Sequence, residues 1–303
     1  MGIEVAARGW AGRWREENQA RIDELRRSIY RFRQSTLSIV GLAIVIFLIL
    51  VAITGHYWAP YPMDAKTAIH PTERLQAPSL QHLMGTDEVG RDIFTRVVWA
   101  TWTSLWVGVM ILIVGGVIGI VLGGIAGFFG GTINEIIMRC TDIMLTIPGL
   151  FLALAISAAL GPSVTHAMMA LSITWWPGYC RLVQAQVMAA REQDYVMAAK
   201  GIGAKSRRII FSHILPNCIS AIVVKASMDM GFAILNLAYL GFIGVGAQPP
   251  EPEWGAMVSF GRRYLPYGWW YSTFPGLAMF LTVFGFNMLG DGLRDVFDPR
   301  TRR

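Results

Sequence analysis

Residues 101–131 read TWTSLWVGVMILIVGGVIGIVLGGIAGFFGG, and no charged side chain occurs from Thr101 to Phe129. A helix needs about 20 apolar residues to cross a hydrocarbon core about 30 Å thick, so this run is a membrane span with length to spare. Glycine recurs here at every fourth position, as Gly115, Gly119, Gly123, Gly127 and Gly131. Small residues four apart form a groove along a helix, and in lipid such a groove lets another backbone approach closely. Its partner is either a helix of the same chain or another subunit; internal packing is the expectation.

Five further apolar runs flank this one. Ser38 to Trp58 carries no charge, and Ile143 to Leu160 and Ser163 to Cys180 are separated by Gly161-Pro162, which reads as a tight turn between antiparallel helices. Cys218 to Val245 carries Lys225 and Asp229, and Tyr271 to Gly290 is clean. With 54% hydrophobic and 15% charged residues in 303, the chain lies outside the range of soluble domains. The expected fold is an all-α integral membrane protein with six transmembrane helices. An even number of spans places both termini on one side.

The basic residues identify that side. Of 26 Lys and Arg, 19 fall before residue 38, at Arg139, between Arg181 and Arg208, and after Asp291; 6 fall in the two longer segments on the other face, and Lys225 lies in the membrane. The richer face, with both termini, is cytoplasmic. The net charge of +6 therefore belongs to a membrane surface and offers no support for nucleic-acid binding.

The chain divides accordingly. Residues 1–37 form a cytoplasmic Arg-rich tail, in which Ile22, Leu25, Ile29 and Phe32 at helical spacing oppose Arg21, Glu24, Arg27 and Arg31, the pattern of a helix lying on the membrane surface. Residues 38–58 are the first span, 59–100 an external loop, 101–290 a core of five spans, and 291–303 a cytoplasmic tail. The tail lacks the plan of a cleaved signal peptide, since its first apolar run is long enough to remain as an anchor. Cys140, Cys180 and Cys218 fall near the cytoplasmic boundary, where thiols stay reduced, and read as small buried apolar residues.

Lys225 and Asp229 stand one helical turn apart and can neutralise each other. Unpaired, each would cost about 2.5–3.5 kcal/mol on insertion scales. They either line a wet substrate path or form a structural pair. No His, Cys or carboxylate spacing indicates a metal site or hydrolase: the five histidines form no H-E-x-x-H and no serine sits in G-x-S-x-G. Gly201 to Ser206 superficially resembles a phosphate loop, but Ala204 replaces the glycine before Lys205 and no strand precedes it.

The longest cytoplasmic segment between spans is RLVQAQVMAAREQDYVMAAKGIGAKSRRIIFSHILP, residues 181–216. Met197, Ala198, Ala199 and Gly203 read as a short helix ending at glycine, and Arg207 to Leu215 as a second one halted by Pro216. The segment is either a grip for a partner protein or a basic loop held to lipid headgroups.

This segment resembles the cytoplasmic signature of ABC-importer permeases, a Glu-Ala-Ala triplet, three residues, a glycine, nine residues, then Ile-x-Leu-Pro. Ala198, Ala199, Gly203, Leu215 and Pro216 match in register; Met197 stands for the family's Glu and His213 for its Ile. GTDEVGRDIFTRV at Gly85–Val97, GAQPPEPEWGAM at Gly246–Met257 and FNMLGDGLRDVFDPR at Phe286–Arg300 narrow the resemblance to the second permease of dipeptide and oligopeptide importers. It covers nearly everything after about residue 36.

The resemblance implies a type I ABC importer permease fold in a bacterial inner membrane, and pairing with a homologous permease. Two ATPase subunits would bind ATP and Mg, leaving no cofactor in this chain. A binding protein would deliver peptide from outside, with Asp87, Glu88, Glu251 and Glu253 as candidates for touching it. Residues 192–216 would be the coupling segment, with Asp194, Tyr195, Met197, Ala198, Ala199, Gly203, Ala204, Leu215 and Pro216 as its site residues. Ala198, Ala199 and Gly203 would make the central contact. Nickel, glutathione or an opine are alternative cargoes on the same framework. A secondary transporter or a channel would dispense with the ATPases, and the coupling signature opposes both.

Overall fold

The computed structural model describes residues 32–297, preceded only by Gln19, Arg26 and Tyr30. The amphipathic segment read at Ile22, Leu25 and Ile29 lies outside the described residues. Among the described residues the secondary structure is helical, apart from one isolated bridge between Thr86 and Asp92.

Helix α1 spans Thr36–Trp58, and its first turn is capped by the Ser35 hydroxyl, which accepts from the Ser38 N–H at 3.3 Å. Its buried residues, Ser38, Gly41, Val45, Leu48, Ala52 and Gly55, recur at three- and four-residue intervals on one stripe. The opposite face is apolar and exposed, as lipid requires. Helix α2, Ile93–Phe129, starts eight residues before the charge-free run because Asp92 caps it, accepting from the Thr95 N–H at 2.7 Å. At about 1.5 Å per residue, its 37 residues extend well beyond one hydrocarbon thickness.

The third apolar run is not one straight span. Helix α3, Gly131–Thr146, and helix α4, Gly149–Leu160, meet at 81° across Ile147 and Pro148. Proline lacks the N–H that would continue the ladder, and it pushes the preceding residue out of the α region; Ile147 accordingly sits at ψ 123°. Gly161, at φ +93°, makes the turn into α5, Val164–Arg191, which Ser163 caps through the Thr165 N–H.

A short helix, α6 (Asp194–Gly201), follows, and then α7, Ser206–Ile243. The ladder of α7 widens to a π turn over Ile209–Ile214, where the Leu215 N–H reaches back to the Ile210 carbonyl. That widening lies just upstream of Pro216, which cannot donate. Helix α8, Trp254–Gly261, and helix α9, Trp269–Phe297, complete the described residues.

All six apolar runs are helical. Among the described residues four helices, α1, α2, α7 and α9, are long and apolar enough to cross a membrane, with a fifth span if α3 and α4 count as one. Helix α5 is 28 residues long but less apolar, because much of it faces protein. It lies along α2 and also touches α4 and α7.

The glycine groove of α2 is where α5 lies. A Cβ on Gly115 would fall 2.7 Å from the Trp175 Cβ, one on Gly119 2.5 Å from the Trp176 carbonyl, and one on Gly127 2.7 Å from the Gln184 carbonyl, while one on Gly123 would strike the Cys180 carbonyl. The fifth glycine of the series departs from the expectation: Gly131 opens α3 at φ +51° with nothing within 4 Å of its Cβ direction. It marks the corner rather than the groove.

Candidate functional site

Three places gather the chemistry: a cap over the start of α2, an ion pair within α7 and the end of the bundle that carries α6. In the cap, the loop after α1 folds over the start of α2. Asp64 accepts from the Asp92 N–H at 2.7 Å and from His70 Nε2 at 2.9 Å, while the Arg96 guanidinium donates to the carbonyls of Asp64 and Pro250. Arg91 donates to Asp87 at 2.7 Å, and Arg96 lies 3.7 Å from the same carboxylate. Asp92 also pairs with His82 at 3.0 Å. Asp64, Asp87, Arg91, Asp92 and Arg96 are buried and mutually compensated, as ions away from water must be, while His70 is part-exposed.

Two of the candidates for meeting a binding protein are thereby corrected. Asp87 is fully buried in the Arg91–Arg96 pair, and Glu253 is buried as the cap of α8, accepting from the N–H groups of Gly255 and Ala256 at 2.8 Å each. Neither can reach a docked protein. Glu251 remains exposed and Glu88 half-buried. Burial raises the Glu253 carboxyl to about 7, against the lowering effect of its two N–H donors. His70 is also raised, chiefly by its hydrogen bond to Asp64.

Lys225 and Asp229 are bridged at 2.9 Å, with the side chains 30% and 15% exposed. They face α5, where Trp175 Nε1 donates to Asp229 at 3.3 Å and the Lys225 ammonium lies 5.1 Å from the centre of the Tyr179 ring. The pair opens onto a cleft of about 340 Å³ between α4, α5 and α7, whose wall includes Leu145, Gly149, Thr174 and Asn236. Sequence reasoning had paired Lys225 with Asp229 but missed Trp175 and Tyr179. Their only signal in the sequence is that they stand four apart, as Lys225 and Asp229 do.

At the opposite end of the bundle, α6 turns Val196 and Ala199 inward onto Ile209, Ile210 and Ile214 of α7 and Val183 and Val187 of α5. Asn217 donates to the Tyr195 hydroxyl at 3.1 Å and ties the two elements. The helix ends in a paired motif: the Gly203 N–H bonds the Lys200 carbonyl at 3.0 Å and the Ala204 N–H bonds the Ala199 carbonyl at 3.1 Å, with Gly203 at φ +78°.

Of the nine residues expected in the coupling contact, Asp194, Tyr195, Met197, Ala198, Gly203 and Pro216 are exposed, and Ala204 and Leu215 half-buried. Ala199, expected at the contact, is buried instead. A helix this short seats one stripe on its own protein, and Ala199 stands three residues from Val196 on that stripe. Ile202 at 86% exposed and Phe211 at 57% were not anticipated; apolar residues among Lys200, Lys205, Arg207 and Arg208 were the available signal.

A family model described as binding-protein-dependent transport system inner membrane component matches residues 119–303, and one described as the N-terminal transmembrane domain of oligopeptide transport permease C matches residues 24–78. The chain is 44% identical over 272 residues to the probable D,D-dipeptide transport system permease protein DdpC of Escherichia coli K12, covering 90% of each. It is also 44% identical over 288 residues to the dipeptide transport system permease protein DppC of Alkalihalophilus pseudofirmus, covering 95% of this chain and 93% of that one. The glutathione transport system permease protein GsiD of Escherichia coli strain 536 is 41% identical, covering 90% of this chain and 89% of its own length. Among solved structures, an inward-facing form of the MetNI methionine ABC transporter superposes with a TM-score of 0.56 at 18% identity, covering 68% of this chain and 98% of that one.

Proposed function

This chain belongs to the inner membrane components of binding-protein-dependent transport systems, and from that membership we propose that it is one permease subunit of an ATP-driven importer of dipeptides or oligopeptides. It contributes half of the translocation path beside a homologous permease. ATP and Mg bind to two partner ATPases, and a binding protein delivers the cargo; this chain itself catalyses nothing.

The observation that supports coupling most directly is the construction of α6. Its inner stripe is anchored to α5 and α7 through Val196 and Ala199, while Met197, Ala198 and Ile202 are turned to solvent. A push on the outer face therefore reaches two long helices through packed side chains rather than through a loose loop. Packed elements move as units because interiors are close-packed and resist compression. ATP can drive the change only if the ATPases hold α6 differently in their open and closed states.

Peptide cargo is supported by the two 44% identical relatives named for dipeptide systems. Glutathione is the second reading, supported by the 41% identical glutathione permease. The experiment is purification of the tagged chain with its subunits, followed by ATPase assays with loaded binding protein. Co-purified ATPases stimulated by dipeptide support the first reading, and stimulation by glutathione alone supports the second. A chain that transports by itself after reconstitution overturns both.

A further inference from the structure

The Lys225–Asp229 pair lies within α7, away from both of its ends. Lys225 stands ten residues after Leu215 and eighteen before Ile243, roughly 15 Å and 27 Å along the helix. A pair serving structure alone would be expected to close its surroundings. This one does not. Both side chains open to the cleft, and the ammonium, with three donors, has the Asp229 carboxylate as its hydrogen-bond partner. The buried Tyr179 hydroxyl is carried on the ring beside that ammonium.

The cleft also lies at the 81° corner between α3 and α4. Non-helical backbone at membrane depth is tolerated where it is buried in protein or lines a cavity, and interrupted helices border substrate sites in transporters. Its volume of about 340 Å³ falls within the roughly 300–1,000 Å³ of small-molecule sites.

We propose that Lys225 and Asp229 form an exchangeable ion pair that a zwitterion opens in transit, the ammonium taking its carboxylate and Asp229 its ammonium group. This deepens the peptide-importer reading and rests on it, since a short peptide with free termini carries both charges. No covalent step is involved. One internal bridge is replaced by two external ones, so neither protein nor cargo presents a bare charge to low dielectric. When the cargo leaves, the internal bridge re-forms, which keeps binding weak enough for release. Trp175 holds Asp229 in place during the exchange.

The test uses the complete importer in proteoliposomes, with its binding protein, its ATPases and a radiolabelled dipeptide. Two double variants separate charge from structure: Lys225→Gln with Asp229→Asn keeps a hydrogen bond, and Lys225→Met with Asp229→Leu keeps apolar packing. A structural role is met by one or the other, because neutral replacements of buried pairs are commonly tolerated; a charge-exchange role is met by neither. Uptake per assembled complex should fall at least tenfold in both. Wild-type uptake by either variant overturns the proposal. A wild-type complex that takes up no peptide overturns the peptide reading itself, before any variant is compared.

Discussion

The Ala204 N–H donates to the Ala199 carbonyl at 3.1 Å, and together with the Gly203 N–H bond to the Lys200 carbonyl it closes the turn between α6 and α7. The bond requires Gly203 between them to adopt φ +78°, a conformation costing an L-residue about 1–2 kcal/mol.

Replacement of Gly203 should therefore act through conformation, since nothing lies within 4 Å of its Cβ direction. Gly203→Val should insert at normal abundance yet lower uptake about tenfold while ATP hydrolysis continues. Gly203→Asn should keep most uptake, because Asn tolerates the left-handed region. Uptake divided by ATPase rate in the same vesicles is the measurement, and equal ratios for all three proteins would contradict it.

The groove of α2 permits an internal comparison. Gly119→Ala places a methyl 2.5 Å from the Trp176 carbonyl, whereas Gly116 and Gly124 have their nearest neighbours at 4.0 Å. Alanine favours a helix over glycine by about 1 kcal/mol. Gly116→Ala and Gly124→Ala should be neutral or raise the melting temperature in detergent, and Gly119→Ala should lower it by several degrees. Equal shifts at all three would exclude the close approach of α5.

These glycines were legible because a period of four survives in one dimension. The break at Pro148 was legible in principle too, since proline disfavours helix in the residue before it, but a length criterion alone passes over it. The external cap was not legible. Asp64, Asp87, Asp92, Arg96 and Pro250 meet only after the loop folds over α2, and Arg96 touches a carbonyl 154 positions away. Acids such as Asp87 thus read as surface groups until their burial is known. Ala199 differs again: its helix was visible, but which stripe faces inward depends on Ile209, Ile210 and Ile214.

The buried Glu253 links the cap to pH. Its carboxyl rises from 4.5 to about 7, so the folded state holds its proton more tightly than the unfolded one. Its stabilising contribution is complete below about 4.5 and is lost as pH rises through about 7, by about 3 kcal/mol in order of magnitude. Hydrogen exchange across Trp254–Gly261 should be slower at pH 5 than at pH 8. Glu253→Gln should flatten that difference, and an unchanged pH dependence would place the titrating group elsewhere.

His70 should contribute a second component of the same sign. Its raised value reflects the Asp64 hydrogen bond, so the stability it adds is present below its ordinary 6.5 and disappears as pH climbs through the raised value. His70→Ala should abolish that part around Pro71–Glu73 while leaving exchange at α8 unchanged. Titration of the ring by NMR would check the direction, and a value below 6.5 would refute it.

Ile202 supplies the sharpest separation of folding from docking. At 86% exposed it contributes almost no burial, so Ile202→Glu should leave abundance and thermal stability within error of the wild type. A new carboxylate at the centre of an apolar contact, however, would be desolvated without a partner, and such groups cost several kcal/mol when buried. ATPase recovered with the tagged chain should accordingly fall at least tenfold. Ala199→Glu should behave oppositely, destabilising the protein itself, because that side chain faces Ile209 and Ile214. Should Ile202→Glu retain its ATPases, the docking contact would have to lie on another part of the cytoplasmic surface, with Phe211 the next residue to replace.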